Sequence, residues 1–188
     1  MIEYFKQSPS KLLTRIYLII GLVVFVAIYS YMMKLFQGFY FSTQEYSAVW
    51  LSFDAEQFRG LIQPLIQFDQ IALFKNIFVL NIFSVSALTL ALFALSLMIA
   101  RSFEASSKMY KIAYAFPVFP ILIALLDIIP SIFIIVISVS TLAEFPGWLA
   151  YVVSGGYVIR VILLYLLFIW FLFALIRFII QKLRKNKR

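Results

Sequence analysis

The sequence predicts an all-α integral membrane protein: a bundle of four transmembrane helices, both termini cytoplasmic, with an amphipathic external segment between the first two helices. Three observations carry that reading. Of the 188 residues, 64% are hydrophobic and 13% charged, whereas a soluble domain has about 45–50% and about 25%; the mean hydropathy is +1.02. Four apolar runs, at about 12–36, 71–100, 113–140 and 150–180, each exceed the roughly 20 residues a spanning helix needs. Their hydrophobicity is continuous, which is the pattern of helices and not of an alternating barrel. Residues 1–188 read as a single membrane domain, with no stretch long enough for a separate soluble unit.

The first run is longer than the 7–15-residue core typical of a signal peptide and has no small-x-small cleavage site, so an uncleaved anchor is expected. The connection 38–70 follows. Phe58, Leu61, Ile62, Leu65 and Ile66 recur at helical spacing, with Gln57, Arg59, Gln63 and Gln67 on other faces. Pro64 is expected to bend or end that helix. Two placements fit: an interfacial helix lying on the outer leaflet, or a lid or partner-docking surface over the bundle. In the second run Ala87 and Ala91 form a small-xxx-small pair suited to close helix approach.

The third run holds Pro117, Pro120 and Pro130. The first two shape its start, and Pro130 is expected to kink the helix one turn after Asp127. In the fourth run, Ser154, Gly155 and Gly156 predict a break. One helix over 150–180 would be about 46 Å long, more than a bilayer core, so a break or strong tilt is expected. Trp148 and Tyr151 would belong to an outer aromatic belt. Residues 181–188 form a basic tail that reads as a positive-inside stop signal, with electrostatic contact to anionic headgroups as the alternative.

Charge sets the expected orientation. Lys6, Lys11 and Arg15 precede or open the first run, Arg101, Lys108 and Lys111 separate the second from the third, and Arg177, Lys182, Arg184, Lys185, Lys187 and Arg188 end the chain. These are 12 of the 16 basic residues, and alternate connections hold them. The other two connections carry Glu45, Asp54, Glu56, Asp69 and Glu144. Both termini are therefore expected in the cytoplasm, in a bacterial inner membrane. The net charge of +8 is explained by this asymmetry, and no nucleic-acid partner is expected.

Cysteine and histidine are absent. That removes thiolate nucleophiles, Cys/His zinc sites and the commonest general base. The eight acids are scattered along the sequence. No catalytic residue, cofactor site or metal site is expected, and the protein is not read as an enzyme.

Asp127 is the outlying residue, an acid in the middle of an apolar run. Such a group costs roughly 2.5–3.5 kcal/mol at the centre of a bilayer unless it finds a partner. It lies 16 residues beyond Lys111, and Arg160 lies 17 residues before Arg177. Both therefore stand roughly 24–26 Å above the basic anchors. Ser84 and Ser86 lie 17 and 15 residues from Arg101, and Ser30 and Tyr31 lie 15 and 16 from Arg15. The expectation is a buried polar layer in which Asp127 pairs with Arg160, and Ser84, Ser86 or Tyr31 completes the hydrogen bonds. A second, outer polar set comprises Lys34, Lys75, Asn76 and Asn81.

The stretch FDAEQFRGLIQPLIQFDQIALFKNIFVLNIFSV, followed by FPVFPILIALLDIIPSI, resembles an uncharacterised group of four-helix bacterial integral membrane proteins. That group carries Asp-x-x-Phe-Pro in its second helix and Asp-x-x-Glu-Asn in its third. Here Asn81, Ser84 and Val85 stand at the first motif; Asp127 matches the second, with Pro130 and Ser131 in place of Glu-Asn. The resemblance implies the four-helix layout and no activity. The function expected from the residues is a small non-catalytic scaffold or accessory subunit, with membrane lipids and other membrane subunits or further copies as partners. The alternatives are a proton- or ion-linked transporter or channel subunit acting as an oligomer, and a lipid-binding or lipid-active protein.

Overall fold

A computed structural model describes residues 2–39, 43–103, 107 and 109–185. Of these, 86% are helical and none is in a strand. The helices are α1 (Ile2–Gln7), α2 (Lys11–Phe36), α3 (Thr43–Trp50), α4 (Ala55–Gln67), α5 (Ile71–Ala100), α6 (Tyr110–Ala113), α7 (Phe119–Val136), α8 (Val139–Glu144) and α9 (Gly147–Lys185), with a 3-10 turn at Phe116–Val118. Four segments are long and apolar enough to cross a membrane: α2, α5, Tyr110–Val136 and α9 as far as Ile180. Glu104, Lys108 and the tail residues 186–188 lie outside the described residues, as do the side chains of Lys182, Arg184 and Lys185.

The long helices pack in chain order: α2 on α5, α5 on α7, and α7 on α9. Burial follows that order. In α5, 39% of the most apolar stretch is buried, against 11% in each of α2 and α9. Gly21 permits the α2–α5 contact, because an added Cβ would lie 2.6 Å from the Ala87 carbonyl oxygen and 2.8 Å from the Ala91 nitrogen. The small pair Ala87 and Ala91 is buried beneath it.

The α7–α9 contact rests on a different device. Pro130 has no N–H, so the Leu126 carbonyl one turn earlier receives no helical hydrogen bond. Gly156 of α9 faces that oxygen, and a Cβ built there would lie 3.2 Å from it. The expected break at Ser154, Gly155 and Gly156 is not formed: α9 is one helix of 39 residues, about 58 Å long. The small residues serve contact instead. Ser154 is buried and its hydroxyl accepts a hydrogen bond from the Phe53 N–H at 3.2 Å.

The run 113–140 also differs from expectation. Its prolines set a 3-10 turn ahead of α7, α7 stops at Val136, and Ile137 is extended before α8. The Lys75 ammonium donates to the carbonyls of Ile135 at 3.1 Å and Ile137 at 2.6 Å. A cation bonded to the carbonyls at a helix C-terminus satisfies them and matches the helix dipole.

The connection 38–70 forms α3 and α4, which fold over one end of the bundle. Phe58, Leu61, Ile62 and Leu65 are buried in the protein, so the apolar face of α4 is covered by the chain itself. Phe58 stacks on Phe145 at 4.3 Å, and Trp50 stacks on Tyr46 at 4.2 Å and on Phe78 at 5.9 Å. Pro64 is accommodated inside α4, which ends three residues later. Asp69 turns the chain with φ 53°, while the Asp69 and Gln70 N–H groups bond back to Ile66 and Leu65, as in a left-handed helix stop.

The opposite end gathers α1, the α5–α6 connection and the last part of α9. Arg101 donates to the carbonyls of Phe5 and Pro9 and to the Thr14 hydroxyl. Trp170 stacks on Phe116 at 4.2 Å, and the Arg177 guanidinium lies 3.8 Å over Phe103. Each end thus has its own apolar core.

Gly21→Ala should lower stability by about 1–3 kcal/mol through overpacking against backbone. Gly156→Ala should cost less, because its neighbour need move only a few tenths of an ångström. Thermal melting of the two variants should rank them in that order, and an unchanged Gly21→Ala midpoint would contradict the packing described.

Candidate functional site

Between the two apolar cores lies a cleft bounded by α2, α5, α7 and α9 and roofed by α3. Helical spacing builds each wall. Tyr29, Met32, Met33 and Phe36 share one face of α2, and Val153, Tyr157 and Arg160 share one face of α9. Ile77, Phe78 and Asn81 come from α5, and Leu126, Asp127, Pro130 and Ser131 from α7. Tyr46, Ser47 and Trp50 of α3 complete a cavity of about 270 Å³.

Its central polar contact joins α7 to α9: Arg160 Nη1 donates to Asp127 Oδ1 in an ion pair. The Arg160 guanidinium also lies 4.7 Å from the centre of the Tyr157 ring, and its Nε is buried without a hydrogen-bond partner among the described residues. From α5, Asn81 Nδ2 donates to the Ser131 hydroxyl at 3.4 Å; that hydroxyl donates to the Asp127 carbonyl oxygen at 2.7 Å. Three helices are therefore tied at one level. Burial, reinforced by the Asp127 carboxylate, pushes the phenol of the partly buried Tyr46 above its ordinary value.

The other residues expected in this layer stand elsewhere. Tyr31 is exposed on the outside of α2, because the cleft face of that helix runs through Tyr29, Met32 and Met33. Ser86 is exposed and donates to the Ile82 carbonyl of its own helix at 2.7 Å. Ser84 is buried in α5 but makes no hydrogen bond to either charged group. Counting residues estimates height along a helix, and it carries no information on which face a side chain occupies.

The outer polar set separates in the same way. Lys34 and Asn76 are exposed, Lys75 caps α7, and Asn81 belongs to the cleft. Ser131, Tyr46 and Tyr157 were missed by the depth count. Tyr157 carried a usable signal, since it lies three residues before Arg160 on the same helical face. Tyr46 lies in a connection, and no spacing rule links it to α7 or α9.

Chemically, the cleft offers one matched pair of charges and a hydrogen-bonded Asn81–Ser131 pair, with tyrosine rings among largely apolar walls. Among the described residues, no three Asp or Glu side chains converge as a metal site would require. No family model matches the chain, and no curated protein or solved structure matches it.

Removing one member of a fully buried pair typically costs about 3–5 kcal/mol, and this pair is partly exposed, so its loss lies toward the lower end. Asp127→Ala and Arg160→Ala should each approach that loss in an unfolding assay. The double variant Asp127→Leu/Arg160→Leu should recover most of it, whereas additive losses would show that the two groups are energetically independent.

Proposed function

We propose that the chain is an integral membrane protein that crosses a bacterial inner membrane four times, with both termini cytoplasmic. In this reading it serves as a small non-catalytic scaffold or accessory subunit of a larger membrane assembly. Four segments of sufficient length and apolarity support insertion. The orientation is supported by Lys6, Lys11, Arg15, Arg101, Lys111 and Arg177, which belong to the end where α1 and the last part of α9 meet. Membrane lipids would cover the exposed apolar faces of α2 and α9.

The observation that carries the subunit reading is the unsealed cleft. α2 and α9 have no extensive contact with each other, and the Arg160 and Asp127 side chains keep 23% and 17% of their surface exposed. Inside a bilayer, charge facing hydrocarbon is costly and calls for protein or water as its cover. A helix from a neighbouring subunit, seated between α2 and α9, would seal the pair and complete the bundle. The second reading is a proton- or ion-linked transporter subunit, favoured by the same cavity and the part-exposed Asp127 carboxylate in its wall.

Because the chain has no native cysteine, a single Met33→Cys on the cleft wall is a clean reporter. In native membranes it should cross-link to a neighbouring polypeptide, while Ile169→Cys on the open face of α9 should not. In mild detergent the protein should migrate as an assembly; a lone monomer with no cross-link contradicts the subunit reading. Flux in proteoliposomes that Asp127→Asn abolishes would replace it with the transporter reading.

A further inference from the structure

The end of the protein where α1 meets the last part of α9 holds a cluster of cations that the scaffold reading uses only for orientation. A cavity of about 190 Å³ is lined by Lys11, Thr14, Arg15, Met98, Arg101 and Ser102. Three of these six residues are basic and none is acidic. Arg101 is held most firmly: Nε donates to the Phe5 carbonyl at 2.9 Å, Nη1 to the Thr14 hydroxyl at 3.1 Å and Nη2 to the Pro9 carbonyl at 2.7 Å. All three acceptors are neutral. A guanidinium has five N–H donors, so two remain, and its charge meets no carboxylate among the described residues.

Lys11 and Arg15 are exposed and lie four residues apart on α2. That spacing brings like charges together on one helix face, an arrangement that is unfavourable on its own. With Arg101 fixed beside them, the three cations create a concentrated positive potential that an anion would relieve. Farther along α2, Ile16, Ile19, Ile20 and Val23 are exposed. The positive cavity therefore adjoins an apolar surface, a combination that matches a phosphate attached to acyl chains. A zwitterionic headgroup fits less well, because its own ammonium would meet three positive groups.

We propose that Lys11, Arg15 and Arg101 bind the phosphate of an anionic phospholipid from the cytoplasmic leaflet. The two free Arg101 donors and the flanking charges hold the headgroup, and the acyl chains run along α2. The site rests on the membrane reading given above. Basic pockets between helices at the cytoplasmic surface bind acidic lipid headgroups in this way.

Native mass spectrometry of the full-length protein in mild detergent tests the site, with phosphatidylglycerol, phosphatidylcholine and inorganic phosphate as probes. Each basic residue near an acidic headgroup contributes about fivefold to affinity, so Lys11→Gln/Arg15→Gln should weaken phosphatidylglycerol binding by roughly 25-fold. Lys11→Arg/Arg15→Lys should retain it, which separates charge from loss of fold. Phosphatidylcholine should bind weakly, and millimolar phosphate should not displace phosphatidylglycerol. Equal binding of the two lipids, undiminished binding by the Gln variant, or displacement by free phosphate would each overturn the proposal. Carbonate extraction of the same membranes reads insertion separately: a protein that stays inserted yet shows no lipid preference sinks this site alone, whereas an extractable protein sinks the membrane reading.

Discussion

The middle of α9 is attached to the bundle through one short stretch of α7. Leu126, Asp127, Pro130 and Ser131 lie within two turns, and each contributes a different part of the contact. Pro130 frees the Leu126 carbonyl, Gly156 allows the α9 backbone to approach it, and Asp127 receives Arg160 four residues farther along α9. Close approach and charge pairing are therefore coupled. A bulkier residue at 156 would move Arg160 away from its acid, and losing the acid would leave an arginine whose buried Nε already has no partner among the described residues. Serine 131 extends the tie to Asn81 of α5.

The polar layer lies between two apolar cores, one at each end of the molecule. At one end, aromatic stacking among Trp50, Phe58, Phe78 and Phe145 fixes α3, α4 and α8 over the long helices. At the other, Arg101 binds the N-terminal segment through three neutral acceptors, and Trp170 stacks between α9 and the start of the third segment. The middle is held by α5 and α7, while α2 and α9 stand apart across the cleft. The proposed role follows from that gap, because the polar layer ties α5, α7 and α9 and stays partly exposed.

The long helices were legible because a continuous apolar run has few alternatives to helix. The runs 12–36 and 71–100 nearly coincide with α2 (Lys11–Phe36) and α5 (Ile71–Ala100). Proline and glycine were harder to read, since their effect depends on what lies opposite. Pro117 and Pro120 did interrupt the third run, whereas Gly155 and Gly156 sit within a continuous α9 and face Phe53 and α7. The amphipathic pattern of Phe58, Leu61, Ile62 and Leu65 marked an apolar face but not its partner, which is the protein itself. In the site, residue counting gave comparable heights for Asp127 and Arg160. It could not tell that Tyr31 and Ser86 turn outward while Tyr46 arrives from a connection. The depth of a residue is a one-dimensional property, and a site also needs the rotation of each helix.

The Asp127–Arg160 contact fixes α7 against α9, and under the proposed function it does so within a bilayer. Solid-state NMR on the protein in lipid bilayers addresses it directly, through the dipolar coupling between the Asp127 side-chain carboxyl carbon and the Arg160 guanidinium nitrogens. The predicted result is a strong coupling of a hydrogen-bonded pair to a terminal guanidinium nitrogen, lost in Asp127→Asn or reduced with it. A coupling at the noise level in the folded, inserted wild-type protein would contradict the account.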